Sequence, residues 1–292
     1  MDFDEYQSIA NETDQFSKPT KTNEHILIPL LGLAGETGTM LSEFKKKLRD
    51  KEAFKGFTSR AEEELGDILW YLSNIASKLD LSLSAIASKN LTKAQERWPI
   101  EAGQQNTVTF FDADYPKPEQ LPRRLRVQFT QNANGHAVMT LLPSKEQLGN
   151  TLTDNAHVDD GYRFHDVFHL AYMAVLGWSP VMRKLLDCKR KSSQRIDEVE
   201  DGARAGILEE MIVAFVYSNA SERSLYDGIR SLDSEMLATV KRIVAHVEVG
   251  RRRTQDWENA ILQGYTAFRH LTAKGKGIVV VDMDKGKLII EK

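Results

Sequence analysis

The chain has 292 residues, of which 41% are hydrophobic and 28% charged, and a net charge of −3; that length exceeds one small core and suits two domains. The balance excludes a broadly basic surface for nucleic acid or anionic membrane, and no run approaches the roughly 18 apolar residues that a spanning helix needs. A single cysteine, Cys188, excludes an intramolecular disulfide, and the acidic start Met1-Asp2-Phe3-Asp4-Glu5 lacks the pattern of a secretory signal, so a cytoplasmic protein without membrane or nucleic-acid partners is expected.

From Phe3 to about Trp98 apolar residues recur at three- and four-residue spacing, which predicts a helix bundle. A helix over Leu31 to Arg49 carries Glu36 and Glu43, seven residues and so two turns apart on one face. The stretch Glu63-Glu64-Leu65-Gly66-Asp67-Ile68-Leu69-Trp70-Tyr71-Leu72 places Glu64 and Asp67 at the head of an apolar run. Carboxylates rarely lie against such a run without a cation, because burying an unpartnered charge is costly. Glu36, Glu43, Glu64 and Asp67 together suggest a cage for a divalent ion. The plainer reading of Glu62, Glu63 and Glu64 is an exposed first turn favoured by the helix dipole.

The character changes after about residue 100. Thr107-Val108-Thr109-Phe110-Phe111 is strand-like, prolines 116, 118 and 122 interrupt it, and Leu125 to Phe129 leads through Asn132-Ala133-Asn134-Gly135 into Val138 to Leu142, a predicted hairpin. Helical spacing returns from Tyr162 to about Leu271, including a long helix to about Asn219 with Glu198, Glu200, Asp201, Glu209 and Glu210; a second hairpin is predicted over Gly277 to Ile290. The fold class is therefore mainly α, with an all-α bundle over residues 1–100 and an α+β domain over residues 106–292, a helical body with short β-hairpins. Lys189-Arg190-Lys191 and Arg251-Arg252-Arg253 read as solvated basic ends.

His165 and His169 are four residues apart beside Asp166, with His157 upstream. On a helix that spacing aims two imidazoles at one point, a usual way to chelate a metal. Three readings stay open: a second metal-dependent phosphohydrolase site using His165, Asp166, His169 and one of Glu209 or Glu210; a divergent bundle that binds nucleotide or completes a dimer; or histidines bonded to acids inside a core.

Gly32-Leu33-Ala34-Gly35-Glu36-Thr37-Gly38, then Glu64-Leu65-Gly66-Asp67, then Asn90-Leu91-Thr92-Lys93 with Arg97, occur in this order over the first third of the chain. This part resembles the MazG-type all-α nucleoside triphosphate pyrophosphohydrolases, fused to a C-terminal domain of uncertain family. The resemblance implies Mg²⁺, with Mn²⁺ as a substitute, held by acids on the triphosphate while water attacks the α-phosphorus to release nucleoside monophosphate and pyrophosphate. It implies catalytic and metal-binding roles for Glu36, Glu64 and Asp67, phosphate contacts for Asn90, Lys93 and Arg97, and a homo-oligomer. Thr39 stands where the family usually has a second glutamate, so either Glu43 takes over the coordination, fewer ions are held, or the domain senses nucleotide without hydrolysing it. The expectation is a Mg²⁺-dependent hydrolase of ribo- or deoxynucleoside triphosphates, with a further divalent metal in the C-terminal domain; the alternative is a nucleotide-sensing protein with a degenerate MazG-like domain.

Overall fold

The computed structural model describes residues 1–15, 24–98 and 110–291. The chain divides into two compact units, Met1–Gln95 and Glu96–Lys292. The predicted strand at Thr107-Val108-Thr109 lies outside the described residues, and Phe110-Phe111 leads into a turn.

The first unit is helical throughout: α1 (Phe3–Glu12), α2 (Glu24–Asp50), α3 (Phe57–Lys78) and α4 (Leu83–Arg97), whose last two residues count with the second unit. Asp2 caps α1, its carboxylate accepting from the Glu5 amide at 2.8 Å, which satisfies one of the amides every helix start leaves open. Helices α2 and α3 form an antiparallel hairpin, since Gly32 meets Tyr71 while Glu43 meets Arg60. A Cβ on Gly32 would lie 2.2 Å from the Tyr71 ring, so only glycine allows that crossing. Gln7 ties α1 to the α3–α4 turn, donating to Leu81 O at 2.9 Å and accepting from the Leu83 amide at 2.7 Å.

Among the described residues of this unit, the buried apolar ones are Ala10, Pro29, Ala61, Ala76 and Leu83. Several of its large apolar side chains face outward: Leu31 is 62%, Leu41 67%, Leu48 72% and Leu91 60% exposed.

The second unit joins both predicted hairpins into one antiparallel sheet. Its strands are β1 (Arg124–Gln131), β2 (Ala137–Leu142), β3 (Glu146–Gln147), β4 (Gly277–Asp282) and β5 (Lys287–Glu291), in the order β3-β2-β1-β4-β5. Strand β1 pairs with β4 through Val127 and Val279. Leu125, Val127 and Phe129 alternate inward, as a period of two requires when one face packs on a core. The predicted helical stretch is six helices: α5 (Asp166–Leu176), α6 (Pro180–Leu185), α7 (Gln194–Val199), α8 (Ala203–Ser221), α9 (Ser234–Ile243) and α10 (Thr254–Lys274). Every residue of α5 is buried. It packs along α10, where Phe168 stacks on Phe268 with ring centroids 5.1 Å apart.

The expected long helix to Asn219 breaks at Glu200-Asp201-Gly202 because Asp201 is drawn into a buried ionic network. Arg190, read from sequence as part of a solvated basic end, is 1% exposed. Its guanidinium donates to Asp201 Oδ1 and Glu248 Oε1, each at 2.6 Å, while Arg183 donates to Asp112 Oδ2 at 2.8 Å. Arg252 is half-buried, donating from Nε to Leu176 O at 2.8 Å and lying 4.5 Å from the Phe111 ring centre. Tertiary partners dispersed among residues 111–248 reverse the solvated reading for Arg190 and Arg252, while Lys191 and Arg251 are exposed as that reading expected. Among the described residues no helix is long and apolar enough to cross a membrane.

Candidate active site

The first acidic group forms where α2 and α3 run side by side. Glu36 lies in the middle of α2 and Glu64 in the second turn of α3, near enough for the Glu36 carboxyl to act on the ionisation of Glu64. Removal from water, then the Glu36 carboxyl by charge and by hydrogen bonding, push the Glu64 pKa above the usual carboxylate value; Glu63 and Asp67 add to the effect. Neighbouring carboxyls resist ionising together, and a divalent cation beside them would relieve that repulsion. Glu64 Oε2 is buried without a hydrogen-bond partner, an acceptor still open to a cation. Asp67 follows one turn later and is exposed. Among the described residues Glu36, Glu43, Glu64 and Asp67 do not bring ligand atoms within 4.8 Å of one another as a group, so the expected four-acid cage is not assembled; carboxylate oxygens of this kind would suit a hard ion such as Mg²⁺.

The other predicted residues of this unit fall elsewhere. Glu43 is 3% exposed and held by Lys46 Nζ at 2.5 Å and Arg60 at 3.8 Å, so its Oε1 is engaged by cations of the protein. Thr39 is exposed and its hydroxyl donates to Gly35 O at 3.2 Å, on its own helix. Asn90 and Lys93 are exposed on α4. Arg97 belongs to the second unit and donates to Leu232 O at 2.6 Å and Ser231 Oγ at 3.2 Å.

The second group assembles at the N-terminal end of α5. Asp154, buried, shapes the loop leading into it: its Oδ2 accepts from the Asp160 and Gly161 amides at 2.9 and 3.0 Å, and its Oδ1 from the Arg163 amide at 2.8 Å. Gly161 takes a φ of +85° there, a region that favours glycine. A 3₁₀ turn over Tyr162–Phe164 then delivers His165 and α5, in place of the α-helix expected from Tyr162.

His165, Asp166 and His169 each bring one potential ligand atom within 4.8 Å of the others. His165 Nδ1 lies 2.9 Å from Tyr162 O, and its Nε2 is 3.6 Å from Asp166 Oδ1. His169 is fully buried: its Nδ1 lies 2.9 Å from Glu209 Oε1, and its Nε2 is 3.4 Å from Glu210 Oε1 without a well-formed hydrogen bond. Burial opposes charge on His169, but Glu209 and then Glu210 outweigh it and hold its pKa well above the ordinary histidine value. Burial, then Glu210, Asp160 and Asp166, push the Tyr162 hydroxyl up to about 12.

The two neighbouring glutamates do different work. Glu209 is 0% exposed and also accepts from Ser179 Oγ at 2.6 Å and the Val181 amide at 2.9 Å. Glu210 is half-exposed and lines a cleft of about 790 Å³ with Val181, Lys184, Ile207, Met211 and Ala214. His157 lies on the exposed face of the loop. Tyr162 and Ser179 were not singled out from the sequence; the one local signal was Tyr162 at the start of the histidine segment, and Ser179, 30 residues from Glu209, had none.

Residues 106–292 match the family model described as "MazG C-terminal domain". The match falls on the part for which the sequence suggested no family. The chain is also similar to the Gene 37 protein of Mycobacterium phage L5, 35% identical over 101 residues, which is 33% of this chain and 89% of that protein. No solved structure matches the chain.

Proposed function

Because the chain belongs to the MazG C-terminal domain family through residues 106–292, we propose that it is a metal-dependent nucleoside triphosphate pyrophosphohydrolase whose chemistry resides in the N-terminal bundle. The observation that carries this reading is the Glu36–Glu64 carboxyl pair, with Glu64 Oε2 buried and unpartnered and Asp67 one turn on. Bound there, Mg²⁺ would neutralise triphosphate charge and make a coordinated water more acidic. Glu36 and Glu64, fixed by opposed rigid helices, hold their oxygens in place before substrate arrives, so little reorganisation remains at the moment of reaction. Asp67, being exposed, supplies an acceptor toward the substrate side, and Lys93 offers a flexible cation for a phosphate oxygen.

The exposed leucines of α2, α3 and α4 support a second copy of the chain as the cover for this unit, because a bundle of fewer than about a hundred residues with so little buried apolar surface is marginal alone.

Pyrophosphate release from a panel of ribo- and deoxynucleoside triphosphates with Mg²⁺ or Mn²⁺ tests the reading. Release is expected from the parent, none from Asp67→Asn, and near-parental release from His165→Asn. Loss in the His165 variant alone would move the chemistry to the C-terminal unit. The second reading, nucleotide binding without turnover, draws on Thr39, whose hydroxyl is committed to Gly35 O and leaves three acids where the resemblance implies four. A silent parent that binds nucleotide and gains turnover as Thr39→Glu supports it.

A further inference from the structure

We propose that His165, Asp166, His169 and Glu210 bind one divalent transition-metal ion of the Zn²⁺ class, with Glu209 as a positioning residue rather than a ligand. The ring orientations carry the argument. Each imidazole has its Nδ1 placed against an oxygen, Tyr162 O for His165 and Glu209 Oε1 for His169. With Nδ1 of each ring directed at an oxygen, Nε2 is the atom each ring offers to a metal, and each Nε2 faces a further carboxylate oxygen, Asp166 Oδ1 at 3.6 Å and Glu210 Oε1 at 3.4 Å.

An ion pair between His169 and Glu209 explains the Nδ1 side of that ring and nothing more. His169 Nε2 is completely buried and lacks a hydrogen bond, which costs free energy unless something occupies the space between it and the acids. Donors around an ion at about 2.1 Å stand roughly 3 to 4.2 Å apart, so the 4.8 Å spread of His165, Asp166 and His169 closes around one ion with small side-chain adjustments. Two imidazoles with carboxylates select Zn²⁺, Co²⁺ or Fe²⁺ over Mg²⁺, which prefers oxygen alone.

Glu209 completes the arrangement. It already accepts from Ser179 Oγ, the Val181 amide and His169, so it has little capacity left for metal and instead fixes the ring that does the binding, the usual carboxylate–histidine–metal relation. Glu210 stands 3.4 Å from His169 Nε2 and also lines the cleft, so an ion it shared with His169 would stand beside the cleft, unlike a closed structural site.

The test is independent of the acidic pair in the first unit. Full-length protein carrying Glu64→Gln, which weakens that pair, is dialysed free of metal, titrated with Zn²⁺ by calorimetry and with Co²⁺ by visible absorption, and its fold checked by circular dichroism. One Zn²⁺ per chain is expected, without competition from millimolar Mg²⁺. Adding His165→Asn should weaken binding about 100-fold or more, Glu210→Gln about tenfold, and Glu209→Gln about 10- to 100-fold with the Co²⁺ band shape kept. Folded protein that takes up no Zn²⁺, or takes it up equally with His165→Asn and Glu210→Gln, overturns the proposal, as does displacement by Mg²⁺.

Discussion

In the C-terminal unit Trp178, Trp257, Phe168 and Phe268 are each 2% exposed or less, and acids such as Asp112 and Asp201 are answered by Arg183 and Arg190. In the N-terminal unit Leu31, Leu41 and Leu48 of α2 and Leu91 of α4 stand in solvent, and the Glu36 carboxyl raises the pKa of Glu64. One unit closes its own core. On the function proposed, the other would take a second copy over its apolar surface and an ion beside Glu36 and Glu64, while Glu43 is answered within the unit by Lys46 and Arg60. Stability should therefore track the C-terminal residues, while turnover and association track the N-terminal ones.

The largest expected effect is on turnover. Glu64→Gln removes one charge from the facing pair and should lower pyrophosphate release about a thousandfold, or ~4 kcal/mol of barrier, with unchanged thermal unfolding of the C-terminal unit. An active Glu64→Gln protein would erase the chemical half of the contrast. Next, Phe268→Ala should destabilise the C-terminal unit by about 3–5 kcal/mol, read by denaturant titration, because Phe268 is fully buried against Phe168 and Tyr265.

Asp112 probes the same unit through pH. Burial raises its pKa, but the Arg123 guanidinium, the Leu121 amide and Arg183 overcome this and hold it below the usual carboxylate value. A depressed folded-state pKa contributes stability above the ordinary aspartate value, near 3.9, that is lost as pH falls through the folded value. Unfolding measured across pH 2 to 7 should thus show Asp112→Asn destabilised by ~3 kcal/mol at neutrality and converging on the parent in acid. A constant gap at every pH would show that packing, not ionisation, is what Asp112 provides. The smallest effect belongs to the exposed face: Leu31→Gln should change chain stability by no more than about 0.5 kcal/mol. Its sedimentation should nevertheless shift toward monomer; unchanged association would mean this face is not where copies meet.

Much of the framework was legible from residue order. The first unit's helices follow from three- and four-residue apolar spacing, and both hairpins from alternation around Gly135 and Gly286, since these are local periodicities. The sheet joining them was not legible, because Val127 and Val279 are distant in sequence and nothing local encodes their pairing. The basic run at Arg190 misled for the same reason: its partners Asp201 and Glu248 come from separate elements.

By itself, then, the sequence determined which residues carry acids and imidazoles and how each is phased on its helix, because helix geometry is set by nearest neighbours along the chain. Tertiary structure alone decided their company. Packing α2 against α3 brought Glu36 to Glu64 and gave Glu43 to Lys46 and Arg60. Placing α8 beside α5 gave His169 two adjacent glutamates, one to orient the ring and one to face its Nε2, since a helix carries consecutive side chains in different directions.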